Sequence, residues 1–184
     1  PPIADGSAKA YFDGIQAVGL QQLSAPAKYW TASAPITVDA GNSHLLLEPA
    51  DNFEIICHVE YGATPLDKQD FSCIVTPESF GRELSDSRTF CIYGELAQLL
   101  AAGLVKGGSL DNAVIMHDGA IISKDGMRHK EEFARHKMMD LVGDIYLTGM
   151  RVRAKVTAIR AGHPTHVKLA GEMLAQYAAN HQNS

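Results

Sequence analysis

Residues 133–144 read FARHKMMDLVGD, placing His136 four residues before Asp140 and Asp144 four further on. On a helix, side chains at i and i+4 are neighbours, with Cβ atoms about 5–6 Å apart. Zinc bonds imidazole nitrogen and carboxylate oxygen at about 2.0–2.2 Å, so such a pair can hold one ion without bending the helix. Placed 100° apart, His136, Lys137, Asp140 and Asp144 share one arc, while Met138, Met139, Leu141, Val142, Ile145 and Tyr146 fill the opposite one. The apolar arc can pack on a sheet. The polar arc suits a cleft with half of a metal site, and equally a solvated face on which Asp140 is a weak surface partner of His136. Asp144 extends the stripe as an acid that orients a ligand would. A second histidine-bearing turn, AGHPTH (161–166), follows a strand-like run, and its small residues allow close approach. His163 by itself also reads as an ordinary turn histidine.

The elements that must position these residues alternate in type. Ala10, Tyr11, Ile15 and Val18 stand at helical spacing behind Ser7, a capping residue. LSAPAKYW reads as a linker broken by Pro26. PITVDAGNSHLLLEP predicts two strands around a Gly41-Asn42 turn; FEIICHVEY (53–61) and FSCIVT (71–76) predict two more, separated by a proline-bearing loop. These neighbouring strands suggest an antiparallel sheet. PESFGREL predicts a short helix with Thr76 as cap and Pro77 at its first position. GELAQLLAAGL (94–104) predicts a helix that stops at Gly103, and Asp118-Gly119 is a hairpin turn inside AVIMHDGAIIS. Residues 130–147 predict the longest helix, with Glu131 and Glu132 complementing its positive end and Gly149 stopping it. VRAKVTA (152–158) alternates as a strand, and Pro164 opens a last helix to about Tyr177 before a polar tail. The fold class is α+β: a two-layer arrangement with helices on one face of a sheet.

Composition narrows the function. The chain has 184 residues, 46% of them hydrophobic and 20% charged, enough to bury a core. A net charge of −5 with no basic cluster argues against nucleic acid as a partner. No apolar run approaches the roughly 20 residues that span a bilayer, and no secretory signal is visible. Cys57, Cys73 and Cys91 form no C-x-x-C pair and read as buried free thiols of a reducing compartment. The opening PPIADGSAKA has no initiator Met and reads as a trimmed or proteolysed start.

Several segments in register carry a resemblance. SRTFC (87–91), GLVKGGSLDNAV (103–114), RHKMMDLVGD (135–144) and AGH (161–163), with DGSAKAYFDGIQAVG near the start, resemble the zinc-dependent UDP-3-O-acyl-N-acetylglucosamine deacetylases of lipid A synthesis. The resemblance implies a family fold of two similar α+β domains facing each other across the active site. Residues 1–25 would be the closing helix and linker of the first domain. Residues 26–184 would be the second domain, with a small βαβ-type insert at about 93–123. It implies removal of the N-acetyl group by zinc-activated water, in the cytoplasm of a Gram-negative-type bacterium. His136 and Asp140 would be two zinc ligands, the third ligand and the general base belonging to a part of the first domain that precedes this chain. Some members of that family continue into a fused dehydratase domain, a partner the resemblance also implies.

Further roles follow from the same resemblance. Thr89 would help hold the oxyanion, His163 would act as cation or general acid at the leaving amine, and Asp144 would favour its charged form. Lys137 would meet substrate oxygens. Tyr61, Phe90, Ile92, Glu95 and Arg160 fall at UDP-sugar contacts, Arg160 standing where a lysine is common. Leu96, Val105, Ser109, Leu110 and Ile115 fall on the lining of an acyl passage; each also reads as core. Pro164-Thr165-His166 stands in place of the common Ala-Leu-Asn, and a family lysine is replaced around Ser33-Ala34. The 184 residues alone are expected to be inactive or nearly so. The competing expectation is a non-catalytic module that binds nucleotide-sugar or acyl chain, or completes a partner.

Overall fold

The computed structural model describes residues 4–62, 68–105 and 107–181. The proline-bearing loop and the end of the polar tail lie outside the described residues. The main sheet has strands β1 (Tyr29–Thr31), β2 (Ile36–Ala40), β3 (Ser43–Pro49), β4 (Phe53–Val59), β5 (Gln69–Ile74) and β9 (Arg151–Ile159). Their order is β2-β3-β9-β4-β5, with β1 also paired to β9. The sheet is mixed rather than antiparallel, because the late strand β9 is its centre: it runs antiparallel to β3 and parallel to both β4 and β1. Three α-helices lie between β4 and β9 in the chain, and a parallel partner needs such a long crossover.

Alternation sorts the two faces. Leu45 and Leu47 on β3, Ile55, Cys57 and Val59 on β4, and Val152, Ala154, Val156 and Ala158 on β9 are buried. The intervening residues point the other way and are more accessible, as in a sheet covered on one face. The covering layer is α4 (Glu132–Ile145) and α5 (His163–His181), which pack on each other and on β2 to β5. α5 is the longest helix, exceeding the 130–147 segment; the Pro164 signal marked its start, and the polar composition of its last turns hid its length. Met138, Leu141 and Ile145 of α4 are in the core, whereas Tyr146 is mostly exposed, because the helix tightens into a 3-10 turn there.

The insert is a separate three-stranded sheet. β6 (Phe90–Ile92) runs parallel to β7 (Val114–His117) through α3 (Tyr93–Ala101), and β7 returns as β8 (Ala120–Ile122). The hairpin turn has positive φ at both Asp118 and Gly119, as a type I′ turn requires. Thr76 and Ser79 form a reciprocal capping box at α2 (Pro77–Ser79), which continues as a π turn over Phe80–Leu84.

α1 (Lys9–Val18) is the outlier. Ala8, not Ser7, occupies its cap position, with the Ser7 hydroxyl accepting from the Lys9 amide. Phe12 packs near Phe80, yet Tyr11, Ile15 and Val18 are exposed, as are Leu20 and Leu23 after it. The segment before α1 is tied to the insert at Gly6, whose carbonyl accepts from the Thr89 amide at 3.0 Å. Gly6 has φ +81, and a Cβ there would stand 1.8 Å from the Asn112 carbonyl oxygen. Gly6→Ala is therefore expected to destabilise the chain by about 1–3 kcal/mol, read as a lower urea midpoint with unchanged slope.

Candidate active site and metal pair

The site is assembled at the junction of α4, α5 and the segment leading into β6. A buried ion pair sets this junction. Arg88 and Glu132 are 2% and 0% exposed and meet through Arg88 Nε donating to Glu132 Oε1 at 2.8 Å. The backbone amides of Arg88 and Arg128 also donate to this carboxylate, and Arg88 Nη2 donates to the Gly126 carbonyl. Burial alone would raise the Glu132 carboxyl, but the hydrogen bonds from Arg88 and the amides outweigh it and hold it below its usual range. Glu132 is thus more than an acid that complements the positive end of the helix. It fastens the first residue of α4 to the residue preceding Thr89.

One helical turn later, the polar arc of α4 faces this junction rather than water. His136 is buried, and its Nδ1 donates to the Ser87 carbonyl at 3.1 Å. That bond leaves Nε2 bare, aimed at Asp140 Oδ1 at 3.4 Å. Burial pushes the imidazole below its usual range against the opposing pull of Asp140, so the ring is neutral at pH 7. A neutral nitrogen and a carboxylate oxygen are a metal donor set. Two ligands of a tetrahedral zinc lie roughly 3.3–3.6 Å apart, and the 3.4 Å separation fits.

The other Asp140 oxygen, Oδ2, has two nitrogens beside it: Lys137 Nζ at 3.2 Å and His163 Nε2 at 3.8 Å. His163 opens α5, is 63% exposed, and its Nδ1 lies 2.7 Å from Asp144 Oδ2. Asp140, Asp144 and His163 line a cavity of about 540 Å³ together with Ala8, Phe80 and Met139. Asp144 also receives His166 Nδ1 at 2.9 Å. Among the described residues, Asp144, His163 and His166 bring three metal-capable atoms together. Their separations to the shared oxygen are hydrogen-bond lengths, shorter than two ligands of one ion keep. His136 and Asp140 carry the metal spacing; the second group is a hydrogen-bonded triad.

The remaining singled-out residues fall into two neighbourhoods. Phe90 lies against Phe133, with Tyr61 at its edge and Lys137 Nζ 5.6 Å from its ring centre. Leu96, Val105, Ser109, Leu110 and Ile115 line one apolar cavity of about 260 Å³ in the insert, with Thr89, Phe90 and Cys91. Val105 adopts φ +51 there, an unusual conformation for a β-branched residue. Ile92 ends β6, and Glu95 is exposed in the first turn of α3. Arg160 does not join the cluster of ionisable groups: it has φ +48 beyond β9, and its Nη2 donates to Glu60 at 2.7 Å. The sequence reading missed three residues here. Arg88 and Glu132 are 44 apart and carry no spacing signal; His166 stands three after His163 at a helix start, a spacing that puts both on one face.

No helix among the described residues is long and apolar enough to cross a membrane. The family model for LpxC, UDP-3-O-acyl N-acetylglycosamine deacetylase, matches residues 1–175. Among curated relatives, a UDP-3-O-acyl-N-acetylglucosamine deacetylase of Anaeromyxobacter sp. (strain Fw109-5) is 36% identical over 95% of this chain and 57% of its own length. Those of Anaeromyxobacter dehalogenans (strain 2CP-C) and Syntrophus aciditrophicus (strain SB) are 35% and 34% identical, over 58% and 56% of their lengths. The chain therefore spans little more than half the length of the relatives it matches. With the match running through 175 of its residues, the chain belongs to the UDP-3-O-acyl N-acetylglycosamine deacetylase family.

Proposed function

We propose that this chain is the larger part of a cytoplasmic UDP-3-O-acyl-N-acetylglucosamine deacetylase of lipid A synthesis, and that its polar α4 arc is half of the metal site. The observation that carries the reading is the buried His136–Asp140 pair, held at metal spacing with the imidazole nitrogen bare. Zinc bound there would polarise the acetamide carbonyl and activate the attacking water.

The chain's own residues do the rest. Thr89 donates its hydroxyl toward the oxygen that gains charge as water adds to the carbonyl carbon. His163, oriented by Asp144, gives a proton to the nitrogen as the C–N bond breaks, leaving acetate and a free amine. Lys137 binds substrate oxygens. Tyr61, Phe90, Ile92, Glu95 and Arg160 contact the nucleotide-sugar, although Arg160 must first leave Glu60. The insert cavity takes part of the acyl chain and keeps water from it. Residues 1–25 belong to a first domain and 26–184 to the second. The exposed large apolar residues of α1 and the linker, Tyr11, Ile15, Val18, Leu20 and Leu23, support a covering partner there.

The third ligand and the base that takes the water proton then come from the portion of the relatives that this chain does not match. Purified alone, the 184 residues are expected to release no measurable acetate from UDP-3-O-acyl-N-acetylglucosamine. Joined to the remaining portion of a relative, they are expected to turn over with zinc. Robust zinc-dependent turnover by the chain alone would refute the division of the site. No turnover by the completed protein, with substrate still bound, would favour a non-catalytic binding module.

A further inference from the structure

We propose that His166 is a positioning residue: it anchors Asp144 from the buried side, so that the remaining face of the same oxygen holds His163. A carboxylate oxygen has two acceptor directions. On Asp144 Oδ2 both are filled by imidazole nitrogens, His163 Nδ1 at 2.7 Å and His166 Nδ1 at 2.9 Å. The two rings are nearly perpendicular, with centres 6.0 Å apart, so neither blocks the other's approach.

The partners are unequal. His163 is 63% exposed, while His166 is 1% exposed and sits within the α4–α5 contact. Its first turn is fixed from below: the amides of Thr165 and His166 both donate to the Gly162 carbonyl, and the Gly162 amide donates to the Thr165 hydroxyl. Burial also pushes the His166 imidazole below its usual range, outweighing the pull of Asp144, so at neutral pH a neutral ring must carry its single proton on Nδ1 to make this bond. A bond on the buried side is not exchanged for water. Without it, Asp144 keeps an unfilled acceptor in a partly buried place and turns to recover a partner, and His163 loses its fixed acceptor. The spacing His-x-x-His at a helix start is what permits two histidines to share one acid across helices.

The significance for proton delivery rests on the deacetylase reading; the positioning itself is readable without turnover. The test is nitrogen-15 NMR of the imidazoles in the metal-free 184-residue chain at one fixed neutral pH. In the unaltered chain, His163 and His166 are both expected to carry a proton on Nδ1, the nitrogen that faces Asp144. His166→Leu is expected to shift His163 toward the Nε2–H form that free imidazole favours, and His166→Asn, whose amide also donates, to retain the Nδ1–H form. A His166 protonated on Nε2 in the unaltered chain overturns the proposal. So does a His163 unaffected by His166→Leu, or an asparagine variant that behaves like leucine. Should the leucine variant not fold, the unaltered chain and the asparagine variant still decide. In the completed protein the expected loss is about 10-fold in kcat for His166→Leu with KM unchanged; failure of that protein to deacetylate at all would count against the functional reading and leave the NMR result standing.

Discussion

Replacing His136 with Ala in the completed protein is expected to lower kcat/KM by roughly 10³-fold or more and to release the zinc. The size follows from what the residue would supply. Loss of a single oxyanion donor costs about 10²–10³ in kcat, which is the loss expected for Thr89→Val. A change that merely disturbs the orientation of a ligand costs about 10–100-fold. Loss of a ligand would release the ion, and with it the carbonyl polarisation and water activation that the ion would supply. His136 is well placed for this distinction. Its Nδ1 is committed to the Ser87 carbonyl, so only Nε2 is available to an ion. Turnover and zinc stoichiometry measured together check the prediction, and a variant retaining both excludes His136 as a ligand.

The second large effect concerns the scaffold. Glu132→Gln is expected to destabilise the chain by about 3–5 kcal/mol, because it leaves the Arg88 guanidinium buried without a countercharge. For a chain of this size that lowers the melting temperature by roughly 6–20 °C. Replacing both partners with apolar residues of similar volume is expected to recover most of the loss, since the cost lies in the orphaned charge rather than in the missing bond. The pH dependence has a definite sign. The folded-state Glu132 carboxyl titrates below its usual range, so its contribution is fully present above the unfolded-state value, near 4.3, and disappears as pH falls through the folded-state value. The Gln variant is expected to lose that part of the acid transition. Thermal melts from pH 7 to pH 3 check both the magnitude and the sign. Because the pair joins the start of α4 to Arg88, whose neighbour Ser87 holds His136 Nδ1 through its carbonyl, weaker zinc binding is expected in the same variant.

Local pattern made much of this fold legible. The alternation in VRAKVTA marked a strand, Asp118-Gly119 marked a hairpin, and Thr76-Pro77 marked a helix start; each depends on neighbours within a few residues. What stayed hidden depends on distant partners. Nothing local in VRAKVTA says that it is the central strand, because its parallel pairing with β4 spans two helices and the insert. Glu132 reads as an ordinary acid at a helix N-terminus until Arg88, 44 residues earlier, is brought against it. The candidate site followed the same rule. The i, i+4 spacing put His136 and Asp140 side by side, but whether that arc met water or a cleft depended on Ser87 and the insert. His166 passed as a change in a turn, since its partner Asp144 lies on another helix, 22 residues before it.

The proposed ion sits between His136 and Asp140 rather than in the triad of Asp144, His163 and His166. Cobalt substituted for zinc in the completed protein reports its ligands through its visible absorption. With this placement of the ion, Asp140→Asn is expected to abolish or strongly alter the cobalt spectrum, while Asp144→Asn leaves it nearly unchanged and slows turnover. A spectrum lost with Asp144→Asn and retained with Asp140→Asn would contradict it.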